Sequence, residues 1–224
     1  MNLYGNTLLR IGAVIIIFGL VLFVSAGTIH YWQAWLYLAV YAGASLLISL
    51  YLVKHDPALL KRRLSGGPTA EKRTTQKVIM FFASVGFLAL LVVPALDYRF
   101  GWSTVPLPVV ILGNIVVVVG FYLVLLVYKE NTYTSATIEV AENQTVISTG
   151  PYALVRHPMY ASASVYLIGT PLALASYWGF LALAFLLPFL IWRLTDEEKF
   201  LARNLPGYVE YEKKVRYRLV PYVW

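Results

Sequence analysis

Gly150-Pro151-Tyr152-Ala153-Leu154-Val155-Arg156-His157-Pro158-Met159-Tyr160 is a polar stretch set between long apolar runs, and its reading decides what the chain builds. Gly-Pro marks a turn. Pro158 suits the first position of a helix, because an N–H there has no intrahelical partner in any case. From Met159 onward the chain is apolar. Arg156 and His157 therefore fall at a helix N-terminus, at the edge of a membrane. Free backbone N–H groups and the helix dipole favour an anion at such a point, and two basic side chains strengthen the preference. Two readings follow: a pocket for a carboxylate or phosphate, or an interfacial anchor holding lipid headgroups.

The membrane itself follows from composition. Of 224 residues, 59% are hydrophobic and 13% charged, against roughly a quarter charged in soluble domains. Mean hydropathy is +0.69. The chain reads as an all-α integral membrane protein. Its net charge of +7 lies beside apolar runs, so positive-inside bias explains it better than nucleic-acid binding. With no cysteine, disulfides, thiolate catalysis and Cys-ligated metals are excluded. His30, His55 and His157 are far apart in sequence, so no metal site is expected.

Working outward, four apolar runs precede the motif: about Leu8–Ala26, Trp35–Val53, Val78–Leu96 and Val105–Tyr128. Each is long enough to span. Arg10 and Val24-Ser25-Ala26 faintly resemble a signal peptide, but the length of the run and the later spans favour a retained helix. Tyr31, Trp32, Trp35 and Tyr37 form an interfacial aromatic belt. Lys54–Lys77 is a basic loop with a turn at Ser65-Gly66-Gly67-Pro68; short basic loops stay in the cytoplasm. It reads chiefly as a topology determinant, with attraction of anionic lipid or substrate as the functional alternative. Asp97–Trp102 reads as the outer interface. Asn114 lies beside Gly113 as packing glue. Lys129–Thr149 reads as an extended linker over the membrane face.

Behind the motif, about Met159–Ala175 and Tyr177–Leu194 are two short apolar runs. They read as a tight helical hairpin returning to the cytoplasm. About six spans then place both termini inside, with every Lys and Arg except Arg99 on the cytoplasmic side. Asp196–Leu201 continues the last helix, Asn204-Leu205-Pro206-Gly207 breaks it, and Tyr208–Arg216 forms an amphipathic cytoplasmic cap. The chain divides into a four-helix membrane region, 1–128, and a region that carries the motifs, 129–224.

A second polar group leaves the last span. Arg193 and Glu197 are i and i+4, on one helix face, and Glu198 points further round. The modest role is a helix-end salt bridge, worth about 0.5 kcal/mol. The functional role comes from the hairpin, which carries Arg156-His157 at its start and Arg193-Glu197-Glu198 at its end. Side-by-side arms converge these groups on one pocket, with cations at one end and carboxylates at the other. A zwitterionic or sulfonium ligand fits such a pocket.

With these residues in hand, the sequence resembles the isoprenylcysteine carboxyl methyltransferase family: Gly-Pro-Tyr, Arg-His-Pro-Met-Tyr, an apolar hairpin, Arg193-x-x-x-Glu197-Glu198-x-x-Leu201 and a Tyr-rich tail. It is also similar to the phospholipid N-methyltransferases. The resemblance covers about Val140–Trp224. It implies S-adenosylmethionine bound from the cytosol and a lipophilic acceptor, a small molecule or lipidated substrate, arriving from the bilayer. It assigns Gly150, Tyr152, His157, Pro158 and Tyr160 to the cofactor motif, beside the Arg156 read above. Glu197 and Glu198 are its paired acids and Arg193 its catalytic arginine. No metal or nucleic acid is implied.

If the acceptor is a carboxylate, as in prenylcysteine O-methylation, it is ionised at neutral pH and Arg193 orients it through a two-pronged contact. An amine or hydroxyl needs a base, and Glu197 is the candidate. Two other functions are weighed: an NADPH-dependent membrane sterol or steroid reductase, which the two acids disfavour beside a 2′-phosphate, and a non-enzymatic lipid-binding membrane protein.

Overall fold

The computed structural model describes residues 3–66, 71 and 73–224. Among them the chain forms eight α-helices, one 3₁₀ turn and no strand. Five helices are long and apolar enough to cross a membrane: α1 (Leu3–Ala26), α2 (Trp32–His55), α4 (Thr74–Phe100), α5 (Leu107–Glu130) and α7 (Gly179–Asn204). The protein is an all-α membrane protein. The sixth expected span is α6 (Pro158–Ala173), with 16 residues. At 1.5 Å per residue it measures about 24 Å, short of the ~30 Å hydrocarbon core. It still joins the two ends of the bundle. Its first turn faces α7 through Tyr160 and Glu197, and just beyond its last residue the Leu174 carbonyl accepts the Tyr31 hydroxyl.

The basic segment 54–77, expected as a loop, contains α3 (Pro57–Leu64). Asp56 caps it by accepting the Leu59 N–H at 2.9 Å, Pro57 opens it, and Leu59 and Leu60 are buried. This Asp-Pro start is an ordinary helix signal. Gly67 and Pro68 of the expected turn, and Lys72 of the basic run, lie outside the described residues. At the other end of the chain, α7 stops at Asn204, Gly207 adopts a left-handed conformation, and α8 (Tyr208–Lys214) follows.

The arms of the expected hairpin are not each other's main neighbours. α6 packs chiefly on α5, and α7 on α4. Small residues explain the first pairing. A Cβ added at Gly120 would fall 2.5 Å from the Tyr166 nitrogen, and one at Gly169 would fall 2.8 Å from the Gly113 carbonyl oxygen. Asn114 beside them donates to the Val110 carbonyl of its own helix at 2.9 Å.

At the end of the bundle remote from Arg156, Asp97 is buried. It accepts from the Ser103 N–H and hydroxyl, both at 2.6 Å, and from the Ser176 hydroxyl at 2.5 Å. Ser176 in turn accepts from the Gly179 N–H at 3.0 Å. Neutral donors thus tie the α4–α5 loop to the α6–α7 turn.

Candidate active site

The Gly150-Pro151 turn is a 3₁₀ turn, Gly150–Ala153. Gly150 has φ +54°, and an added Cβ would come within 2.7 Å of a Glu130 carboxylate oxygen. The left-handed backbone favours glycine there, whereas the Glu130 side chain is a flexible neighbour that can give way. Past the turn, the Arg156 and His157 N–H groups donate to the Tyr217 and Arg218 carbonyls at 2.8 and 3.0 Å. This backbone pairing draws the C-terminal segment over the start of α6.

At that helix start the chain supplies a carboxylate of its own, Glu198. One Glu198 oxygen lies 2.7 Å from Arg156 Nε and 3.2 Å from His157 Nε2, and the other accepts Arg218 Nε at 2.8 Å. Arg156, His157 and Glu198 side chains are all buried. Three basic groups around one carboxylate satisfy the desolvation requirement that a lone buried charge would violate. Arg218 carried no spacing signal in the Tyr-rich tail.

Arg193 and Glu197 share a face of α7 without bonding to each other. Glu197 accepts the Tyr160 hydroxyl at 2.6 Å. Arg193, 8% exposed, donates to Gln76 Oε1 and Glu71 Oε1, each at 2.7 Å, and to the Ala136 carbonyl at 3.1 Å. Gln76 then donates to Asp196, which pairs with Arg73 at 2.8 Å. Tyr160 stands between the two site residues, close to both charges. A buried guanidinium needs several acceptors; the first turn of α4 supplies Gln76 and the segment before it supplies Glu71. Glu71 and Gln76 lie more than a hundred residues away in sequence, where no local spacing could reveal them.

A cavity of about 1080 Å³ joins these groups to the hydrocarbon-facing part of the bundle. Its polar end carries Tyr152, Arg156, His157, Tyr160, Arg193 and Glu197. Its apolar part is lined from six helices, by residues such as Phe18, Tyr41, Phe87, Phe121, Leu167 and Leu186. The linker 131–147 closes one side. Pro158 lines it as well, whereas Gly150 and Glu198 support the wall from behind. Tyr152 is fixed by Asn131 Nδ2 at 2.9 Å and by the Tyr211 hydroxyl, which donates to the Tyr152 carbonyl at 2.8 Å. The Tyr208 hydroxyl lines the cavity, is buried, and has no hydrogen-bond partner among the described residues. Burial first, and then Glu198, Glu197 and Glu212, push that hydroxyl upward from the usual phenol range, so it is a protonated donor.

Residues 108–206 match the family model of the phospholipid methyltransferases. The matched segment holds α5, the linker, the motif, α6 and α7, and with them every site residue named from the sequence. The match agrees with the resemblance drawn from Arg-His-Pro and the paired glutamates. It suggests a methyltransferase acting on lipid-like substrates, with the S-adenosylmethionine use general to such enzymes. No curated protein matches the chain. Arg63, Glu71, Gln76, Tyr208, Tyr211 and Arg218 lie outside the matched segment.

Proposed function

We propose that the protein transfers a methyl group from S-adenosylmethionine to a lipophilic acceptor that enters the cavity from the bilayer, at the cytoplasmic face. One observation carries this reading: a single cavity runs from Tyr160 and Glu197 to a hydrocarbon-lined interior. Its residues fit the cofactor. Among the described residues, Glu197 receives one hydrogen bond, from a neutral tyrosine, and Tyr208 offers an unpartnered buried donor. When bound, S-adenosylmethionine supplies a methyl group on a positively charged sulfur. Glu197 would face that charge, held in place by the Tyr160 hydroxyl. Tyr152, His157 and Pro158 form the wall beside it. Glu198 locks Arg156, His157 and the tail into that wall. The protein's contribution is position and electrostatics.

In the finer form of the proposal, the acceptor is a carboxylate, as in prenylcysteine O-methylation. An ionised carboxylate needs no base, and Arg193 supplies the planar cation that orients it. A second form is favoured by one contact. Glu71 already answers the charge of Arg193, whereas among the described residues Glu197 holds only a neutral donor. An amine acceptor, with Glu197 as base, fits that imbalance.

The test is radiolabelled methyl transfer by the reconstituted protein into prenylcysteine analogues and a lipid extract. The position of the label separates ester from methylated amine. Arg193→Lys keeps the charge but loses the fork, so transfer should fall by roughly 10²-fold, the order for a lost positioning contact, with cofactor affinity near wild type. Failure to bind S-adenosylmethionine at all would overturn the proposal.

A further inference from the structure

Four cationic or potentially cationic side chains line the cavity besides its tyrosines: Arg63, Arg156, His157 and Arg193. Three are already matched to carboxylates. Glu198 takes Arg156 and His157, and Glu71 takes Arg193. Arg63 forms no ion pair among the described residues. It is half-buried on α3, donates to the neutral Ser135 carbonyl at 2.7 Å, and lies over the Tyr128 ring with 5.5 Å from guanidinium carbon to centroid. Glu139 also lines the cavity, but its bond is to the Ser135 hydroxyl, at 2.9 Å. A cation with one neutral acceptor and an aromatic face, in a partly desolvated wall, gains strongly from an anion brought to it.

Position then decides which anion. Tyr128 lies one helical turn beyond Val124 on α5, and both line the cavity. Tyr152 and Asn131 line the same cavity, and from Tyr128, over which Arg63 lies, Val124 and Phe121 continue the cavity wall along α5. A ligand that satisfies both sides has an oxyanion joined to a hydrocarbon chain. We propose that Arg63 is the charge-selecting residue of this cavity, pairing with a carboxylate or phosphate oxyanion of an anionic amphiphile whose chain lies along the α5 wall. That this amphiphile is the methyl acceptor rests on the methyltransferase reading above; that it binds at Arg63 does not. Arg63 lies outside the segment shared with the phospholipid methyltransferases, so this selectivity belongs to α3 of this chain.

The full-length protein in neutral-lipid nanodiscs is titrated with dodecyl phosphate, dodecanoate, dodecanol and inorganic phosphate, and separately with S-adenosylmethionine. Wild type should bind at least one dodecyl anion tenfold or more tighter than dodecanol, and the tighter of the two names the oxyanion. Arg63→Gln, which keeps an amide donor for Ser135, should lose that preference. Arg63→Lys should keep most of it. Dodecanol and cofactor affinities should be unchanged in both variants. A preference that survives in Arg63→Gln overturns the inference, as does its absence in wild type. A loss of dodecanol and cofactor binding in Arg63→Gln along with the anions makes Arg63 a clamp on the linker and also overturns it. Inorganic phosphate binding as tightly as dodecyl phosphate removes the amphiphile from the assignment. A wild type that prefers the dodecyl anions but fails to bind S-adenosylmethionine upholds the Arg63 site and sinks the methyl-transfer reading instead.

Discussion

Each end of the bundle buries a carboxylate, and the two are satisfied in opposite ways. Asp97, at the end remote from the motif, takes an amide N–H and two serine hydroxyls. Glu198, at the other end, takes Arg156, His157 and Arg218. The donors around Asp97 come from two adjacent loops, and the knot closes on itself away from the cavity. The basic groups around Glu198 come from the motif and the tail, and Arg156 and His157 among them line the cavity. Burial of an acid alone therefore says little about function. Neutral donors on short loops make a clasp, whereas cations drawn from distant segments beside a cavity make a site that depends on the whole fold.

The sharpest way to break this comparison is Glu198→Ala. It leaves three basic groups facing one another, and removal of one partner from a buried ion pair typically costs about 3–5 kcal/mol. S-adenosylmethionine affinity should fall by roughly tenfold or more, with His157→Ala giving a loss in the same direction. Calorimetry in detergent reads the affinity, and denaturant unfolding reads the stability. A Glu198→Ala protein with wild-type affinity would make this cluster a clasp like the other.

Asp97→Asn comes next. It should cost about 1–3 kcal/mol, the range for a strained or unsatisfied buried polar group, and leave transfer per folded molecule unchanged. A fall in transfer beyond the loss of folded protein would mean that the remote end communicates with the cavity.

The smallest effect is expected at Asn114. Its amide oxygen is buried without a partner among the described residues, and its nitrogen bonds only within its own helix. Asn114→Leu should change stability by less than about 1 kcal/mol, because one cost of the wild-type residue disappears with its bond. A large loss would show that α5 needs this polar group where it approaches α6.

Much of the architecture was legible in short windows of sequence. Apolar runs gave α1, α2, α4 and α5 to within about five residues, and the run to Leu194 with its charged continuation gave α7. Pro158 gave the start of α6, and Pro206-Gly207 gave the break before α8. The start of α3 was equally legible at Asp56-Pro57 but was hidden beneath the charge of the loop. All of these features depend on residues within about one helical turn of each other, or on the summed hydrophobicity of one segment.

What the sequence determined by itself is thus an all-α membrane protein with a polar, helix-opening motif and a pair of acids at the end of its last long helix. What only the tertiary structure decided is who partners whom. Glu198 pairs with Arg156 and His157 at the start of α6; Arg193 is held by Glu71 and Gln76; and Arg63 lines the cavity with no carboxylate partner among the described residues. The physical reason is that a buried charge takes the partners that helix packing brings within about 3 Å, and the small residues of α5 and α6, not the hairpin turn, set which helices pack.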